Sequence, residues 1–427
     1  MGHSHSHVPQ APVSRPELRR RKAVRRRAVV LLSWLLGPLA VLTLLALVLM
    51  WPNAETGPPP AGNPQAAAPG ASIVTGTVLR AVTEDCAGID GNAGMDCHVA
   101  YTSVDGQEEL PVVVGPDIAQ SRGVKPGDTI SFLDLTGLAA VTGVETAGAQ
   151  YVFMDFVRTV PMGLLAVVYA VVVVAVARWR GLRAMVGLAG AFAVLAWFML
   201  PALSQGQSPL LVALVGSSAI MFGVLYFAHG FSVRTSTALL GTLFGLAVTA
   251  GLAAWAVDAA ALTGTTGENA YQLSTLTNGM SLSGMILCGL VISGLGVLND
   301  VTITQSSAVW ELHELAPHTS VKELFTSAMR IGRDHIASTV YTIAFAYAGS
   351  ALPVLLMVSL YDQQLMTALT GVELAEEIVR ILVGSIGLVL AIPVTTAVAV
   401  AVVKATGKVP AQLEPQPQKT VIAAPGA

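Results

Sequence analysis

Long apolar runs separated by short polar loops dominate the pattern of residues along this chain. Each run has about 20 residues, which lets a helix cross a hydrocarbon core roughly 30 Å thick. The first run covers residues 28–51. Seven further spans are predicted near residues 160–178, 181–200, 209–228, 236–257, 279–299, 336–358 and 378–402. The pattern therefore predicts a mainly α, polytopic membrane protein with about eight transmembrane helices.

The charges of the loops predict how the spans are oriented. Three loops on one side, PALSQGQS, DAAALTGTTGENAYQLSTLTN and YDQQLMTALTGVELAEE, contain neither lysine nor arginine. The loops on the other side carry the basic residues Arg178, Arg180, Arg183, Arg234, Lys322, Arg330, Arg333, Lys404 and Lys408. Because cytoplasmic loops carry the excess of Lys and Arg, this alternation predicts a plasma-membrane protein with both termini in the cytoplasm.

The segment between the first two spans has a different pattern. Residues 52–71 form a Pro/Ala-rich linker, and residues 72–150 contain short β-branched runs bounded by turn signals such as VDGQ and VKPGD. Such runs predict a small all-β domain, either a sandwich or an OB-like barrel. With a cytoplasmic N-terminus, this domain is expected to be extracytoplasmic and to bind an envelope protein partner.

Composition also predicts the bounds of the two tails, the first helix and the membrane domain. Residues 1–27 and 404–427 are predicted to be cytoplasmic tails, the first one basic and disordered. Residues 28–51 are predicted to be an uncleaved signal anchor, because signal peptides have only about 7–15 apolar residues and a small-x-small cleavage site. Residues 151–403 are predicted to form a seven-helix membrane domain, with the lipid bilayer as its surroundings.

Composition also excludes several functional classes. Hydrophobic residues make up 53% of the 427 residues, charged residues make up 11%, and the mean hydropathy is +0.67, unlike a soluble domain. The basic cluster RRRKAVRRR adjoins a span, so topology explains it and no nucleic-acid partner is predicted. His313 and His318 are five residues apart, whereas a helical zinc site needs a spacing of four. No enzymatic activity, metal or cofactor is predicted.

Two of the three cysteines lie in the predicted β domain. Cys86 and Cys97 flank the loop AGIDGNAGMD. In an oxidising extracytoplasmic space, a disulfide between them would hold this loop in place. Two free thiols are the alternative.

The candidate chemistry lies in the segment GLGVLNDVTITQSSAVWEL at residues 294–312. If the helix continues through this segment, Asp300, Thr304, Ser307 and Glu311 share one face. A lipid-facing aspartate costs about 2.5–3.5 kcal/mol even on insertion scales, so this stripe is expected to face protein or a wet cavity. The alternative is an Asp300 in the interface, where it caps or salt-bridges an ordinary helix end.

The next predicted span supplies possible partners for these carboxylates. Arg330, Arg333 and His335 cluster where that span begins. Either arginine could pair with Asp300 or Glu311, which would create a titratable network that includes the imidazole of His335. The alternative is that the arginines simply anchor the span on the cytoplasmic side.

Four motifs resemble the YibE/F family of bacterial membrane proteins in its actinobacterial form. They are DFVRTVP at 155–161, GVLNDVTITQSSAVWEL at 296–312, GRDHIASTV with AYAGSALP within 332–353, and EEIVRILVGSIGLVLAIPVTT at 376–396. The resemblance implies a multi-pass membrane protein. Two residues depart from the family pattern: Asn299, where relatives tend to carry a second aspartate, and Tyr341, where they tend to carry asparagine.

Residues 294–340 also show a fainter similarity to the resistance-nodulation-division exporters and to SecD and SecF. Those proteins relay protons through a membrane aspartate, so this similarity implies the same role for Asp300. Two hypotheses therefore stand: a transporter-like protein with a titratable Asp300, or an envelope scaffold whose β domain binds a partner.

Overall fold

The structure is a computed structural model, and it describes residues 15–52, 70–85, 96–104, 109–137, 150–265, 281–361 and 364–406. The chain divides into two compact units. One unit contains Gly57–Leu182, and the other contains Met1–Thr56 together with Arg183–Ala427. We describe each unit by itself.

The first unit contains a closed five-stranded barrel. Its elements are β1 (Ser72–Asp85), β2 (Asp96–Ser103), β3 (Leu110–Val114), α2 (Pro116–Ser121), β4 (Thr129–Asp134) and β5 (Tyr151–Phe156). The strand order around the barrel is β1-β2-β3-β5-β4, and β4 pairs with β1 to close it. All pairs are antiparallel except β3 with β5. This architecture is that of a five-stranded OB-like barrel, one of the two forms that the sequence predicted.

The barrel interior is apolar because alternate side chains of each strand point inwards. Val78, Ala100, Val112, Ile130 and Phe132 are at most 1% exposed and pack against one another. This alternation of buried and exposed positions specifies the strand register, since a one-residue slip would turn these side chains outwards.

The closing strand β5 lies beyond the predicted domain boundary at residue 150. The sequence interpretation assigned YVFMDF to the start of the membrane domain, but these residues pair with β4 and complete the barrel. The ring of Tyr151 packs edge-on against that of Phe132, with centroids 5.8 Å apart. The aromatic residues of this segment therefore pack against the barrel core, and the following long apolar helix begins only at Thr159.

Cys97 on β2 is disulfide-bonded. Cys86 lies outside the described residues, so the predicted Cys86–Cys97 pairing stays a prediction. The third cysteine, Cys288, is free and buried.

An ion pair holds the turn that leads into β4. Arg122 donates two hydrogen bonds of 2.9 Å to the carboxylate of Asp128, and the backbone N–H of Lys125 donates a third, also of 2.9 Å. The hydrogen bonds from Arg122 are the main cause of a lowered pKa of Asp128, although partial burial opposes them. The folded barrel therefore favours the charged form of this carboxylate.

We predict that Asp128→Asn destabilises the barrel at neutral pH but not in acid. A lowered folded-state pKa stabilises the fold above the unfolded-state value of about 4, and this contribution is lost as the pH falls through the lower folded-state pKa. Thermal unfolding of a fragment of residues 70–158, followed by circular dichroism, measures this difference. Asp96→Asn is the control, because Asp96 is exposed and forms no ion pair among the described residues. A pH-independent difference would contradict the prediction.

The helices account for most of the described chain. They are α1 (Arg15–Leu49), α3 (Thr159–Val194), α4 (Leu200–Ser204), α5 (Pro209–His229), α6 (Val233–Ala259), α7 (Leu282–Ser293), α8 (Leu295–Leu315), α9 (Val321–Ser350), α10 (Leu352–Leu360), α11 (Leu365–Thr370) and α12 (Val372–Thr406). A π-helical turn, Leu195–Met199, joins α3 to α4. Helix α1 begins inside the segment that was predicted to be disordered, since Arg, Lys, Ala and Leu favour helix.

Six of these helical segments are long and apolar enough to span a membrane, or seven if α9 and α10, bent by 64°, form one span. The sequence predicted eight. The difference lies in Thr159–Ser204, which counts as one segment of 46 residues, although two spans were predicted there. At Arg178 the backbone is not helical, with φ 52° and ψ −134°.

Helices α6, α8 and α12 form the centre of the second unit, and glycines let them approach closely. A Cβ built on Gly241 of α6 would lie 2.9 Å from the Cβ of Thr395 on α12. A Cβ on Gly245 would lie 2.7 Å from Leu298 on α8 and 3.0 Å from Ala391 on α12. Small residues replace bulky ones where membrane helices pack backbone to backbone.

We predict that Gly241→Ala destabilises the second unit by about 1–3 kcal/mol, because the added methyl group overlaps Thr395. Gly251→Ala on the same helix is the matched control, since no heavy atom lies within 4 Å of its Cβ position. The melting temperatures of the two variants in detergent give the comparison. Equal melting temperatures would mean that α6 and α12 can separate without cost.

Candidate functional site

Two neighbouring helices bring an acid and an imidazole together. Asp300 lies on α8 and His335 on α9, and Asp300 Oδ2 is 3.6 Å from His335 Nε2. This distance exceeds the roughly 2.7–3.2 Å of an N–H···O hydrogen bond. The contact is an ion pair only when the imidazole is protonated. The side chain of Asp300 is 67% exposed and that of His335 is 30% exposed.

Unsatisfied polar atoms accompany this pair. The Oδ1 atom of Asn299, the residue before Asp300, is buried, and no donor among the described residues reaches it. Likewise, the Nε2 atom of His335 is buried without a hydrogen bond from the described residues. Buried polar atoms are normally hydrogen-bonded, so each of these two atoms has the capacity for a further partner.

The predicted stripe on α8 is not enclosed by the described part of this chain. Asp300, Thr304 and Glu311 are exposed. Ser307 is half-buried and donates a hydrogen bond of 2.7 Å to the carbonyl of Ile303 on its own helix. Of these four residues, Asp300 reaches the side chain of another helix.

The two predicted arginine partners stand apart from the carboxylates. Arg330 and Arg333 are both exposed on α9, and among the described residues neither forms an ion pair with Asp300 or Glu311. The structure thus brings His335 to Asp300 and leaves both arginines at the helix surface.

The enclosed polar face of α8 is the opposite one. Thr302, Gln305 and Ser306 are at most 3% exposed and share this face with Leu298, Val301 and Val309. At about 100° per residue, Thr302 lies roughly 160° around the helix from Asp300. The apolar residues Leu298, Val301 and Val309, at helical spacing, were the signal that could have identified this buried face.

Gln305 connects three helices through its side-chain amide. Its Nε2 donates hydrogen bonds of 2.9 Å to the carbonyl of Ala328 on α9 and 2.7 Å to Thr396 Oγ1 on α12. On the same face, the hydroxyls of Thr302 and Thr242 lie 2.6 Å apart and join α8 to α6. These bonds satisfy buried polar groups, so the face has a structural role.

We predict that Gln305→Leu and Thr396→Val each lower the stability of the protein by about 1–3 kcal/mol, because each leaves a buried partner without its hydrogen bond. The double variant should lose less than the sum of the two, since both changes remove the same bond. Thr304→Val, at an exposed position on α8, is the control. Thermal denaturation in detergent measures all four variants, and strict additivity would contradict the assignment.

A second charged pair lies on α12. Arg380 Nη1 is 3.3 Å from Glu377 Oε1, and the two side chains are 26% and 25% exposed. The guanidinium carbon of Arg380 lies 5.7 Å from the ring centroid of Tyr347 on α9. Glu377 Oε2 and Arg380 Nε are buried without a hydrogen-bond partner among the described residues. This pair also has unused hydrogen-bonding capacity.

An apolar cluster lies along α9 between the two charged pairs. Tyr347 is 12 residues after His335, which corresponds to about 18 Å along the helix. Between them Ile343, 6% exposed, packs with Leu388 and Ile392 of α12. This region is therefore polar at its two ends, where the charged pairs lie, and apolar between them.

Comparison with known proteins identifies the family. The family model described as YibE/F-like protein matches residues 165–405, more than half of the chain. The chain belongs to this family. The YibE/F-like region contains both charged pairs and the Gln305 network, whereas the barrel precedes it. No curated protein and no solved structure matches the chain.

Proposed function

We propose that this protein is a plasma-membrane transporter in which Asp300 takes up and releases a proton. The observation that carries the proposal is the 3.6 Å approach of the Asp300 carboxylate to the imidazole of His335 on the next helix. Acidic residues within membrane-spanning segments mark ion pathways and proton relays. Two titratable side chains on neighbouring helices can exchange a proton and change how strongly the helices attract each other.

The proposed topology has eight spans, with an extracytoplasmic barrel and cytoplasmic termini. The non-helical backbone at Arg178 supports two spans within the 46-residue segment, since a straight helix of that length would measure about 69 Å, more than twice the hydrocarbon thickness. The distribution of Lys and Arg among the loops supports the orientation. Asp300 then lies towards the cytoplasmic side, and Glu377 and Arg380 lie towards the outside.

The mechanism follows from charge. With Asp300 ionised and His335 protonated, the pair attracts and holds α8 against α9. Protonation of Asp300 removes this attraction. Whether Asp300 carries a proton therefore determines how freely the two helices separate. The apolar cluster around Ile343 keeps water from connecting the two sides, and the Glu377–Arg380 pair is the corresponding polar contact at the other end.

The 67% exposure of the Asp300 side chain supports a second candidate function, that of an envelope scaffold. In that case the barrel binds an envelope protein, and the exposed stripe of α8 contacts a partner helix instead of carrying protons. The barrel belongs to a compact unit of its own, which suits a binding module.

Replacement of Asp300 by Asn separates the two candidates. A proton relay requires a titratable carboxylate, so Asp300→Asn is expected to abolish complementation of a deletion strain and to abolish proton uptake into liposomes containing the protein. His335→Gln should reduce both activities, and Asp300→Glu should restore part of them.

Glu311→Gln is the matched control, because Glu311 is an exposed acid on the same helix. It should behave like wild type. Full complementation by a correctly inserted Asp300→Asn variant would exclude the relay and leave the scaffold. Loss of complementation on deletion of the barrel alone, with proton uptake unchanged, would assign the partner to residues 72–156.

A further inference from the structure

A cavity of 650 Å³ lies between α1, α5 and the first turn of α6. Most of its wall is apolar and includes Leu32, Leu36 and Ala40 of α1 and Phe222 of α5. Its volume falls within the roughly 300–1,000 Å³ of ligand pockets. The cavity is separate from Asp300, His335 and the buried Gln305, none of which lines it.

Two glycines create this space. Gly37 of α1 and Gly223 of α5 both line the cavity, and no heavy atom lies within 4 Å of the Cβ position of either. By contrast, a Cβ on Gly216, earlier on α5, would lie 2.6 Å from the side chain of Met199. Glycines in membrane helices usually permit close packing. Here, the lack of a side chain at Gly37 and Gly223 leaves space between α1 and α5.

One end of the cavity is polar. Ser232 and Ser236 line it at the start of α6, and the hydroxyl of Tyr226 lies 3.0 Å from Ser236 Oγ. Ser232 is also the N-cap of α6 and accepts a hydrogen bond of 3.1 Å from the backbone of Thr235. Hydroxyl groups therefore lie at this end of the cavity.

The same end adjoins the basic segments of the chain. Gln207, two residues before α5, donates a hydrogen bond of 3.1 Å to the carbonyl of Met50, the residue after α1, so α1 and α5 are antiparallel. The first residue of α1 that lines the cavity, Val29, thus lies near the end of α5, and only Ala28 separates it from RRRKAVRRR. Arg26, three residues before Val29, and Arg234, which follows the lining residue Val233, are both exposed.

We infer that this cavity binds one anionic phospholipid from the leaflet that contacts the basic segments. An acyl chain fits the apolar wall past Gly37 and Gly223, and the phosphate meets the hydroxyls of Ser232 and Ser236 and the nearby arginines. Basic pockets between membrane helices bind acidic headgroups in this way. The inference does not depend on Asp300 and goes beyond proton transfer.

The test measures phosphatidylglycerol binding to the delipidated full-length protein in detergent, with phosphatidylcholine as the zwitterionic comparison. Native mass spectrometry gives the stoichiometry, and the lipid-induced rise in melting temperature gives the apparent affinity. We expect one bound phosphatidylglycerol per chain, with a preference of about tenfold over phosphatidylcholine. Arg26→Gln with Arg234→Gln should remove most of the preference.

Gly37→Leu and Gly223→Leu each place a side chain at the cavity wall, where the Cβ atom meets no other heavy atom within 4 Å, and should reduce phosphatidylglycerol binding at least about tenfold, since the acyl chain loses its site. Gly251→Leu on α6 is the matched control, because its Cβ position is equally open but lies outside the cavity. Asp300→Asn should bind lipid like wild type, whatever its effect on transport. Unchanged binding in a folded Gly223→Leu variant, or equal binding of the two lipids by wild type, would overturn the inference.

Discussion

Close packing of α6, α8 and α12 is the constraint on which the helical second unit depends. A membrane offers no hydrophobic driving force between helices, so their association rests on tight van der Waals contact and on hydrogen bonds that the bilayer cannot replace. The glycines on α6 supply the contact, and Gln305 and Thr302 supply the bonds. Without this centre, neither α9 nor the charged pairs beside it would hold a defined position.

Helix α8 combines two polar faces with different roles. The inner face, with Thr302 and Gln305, is satisfied within the protein and fixes the helix in place. The outer face, with Asp300, is exposed in the described part of the chain, where the carboxylate of Asp300 contacts His335 of α9. A rigid inner attachment allows the outer face to respond to a change in charge without disturbing the core.

The sequence predicted the class of architecture, because long apolar runs and short β-branched runs report directly on burial, and four motifs indicated the family. It did not predict which face of α8 is enclosed. Thr304 and Gln305 are adjacent polar residues in one uninterrupted helix, and only the packing of α6 and α12 decides between them. The strand at Tyr151–Phe156 was missed because aromatic residues suit both a membrane boundary and a barrel interior. Arg330, Arg333 and His335 were all expected near Asp300, because they cluster at the start of one predicted span, and helical phase determines that His335 is the residue in contact.

The way in which the barrel is attached has a mechanical consequence. Only Val157 and Arg158 separate β5 from α3, and Arg158 is held by a 2.7 Å ion pair to Asp155 in the last strand. Between α1 and β1, by contrast, the sequence contains 22 residues, many of them proline or alanine. A load applied to the barrel would therefore reach the start of α3 through only two residues, one of which is held to the last strand by its own side chain.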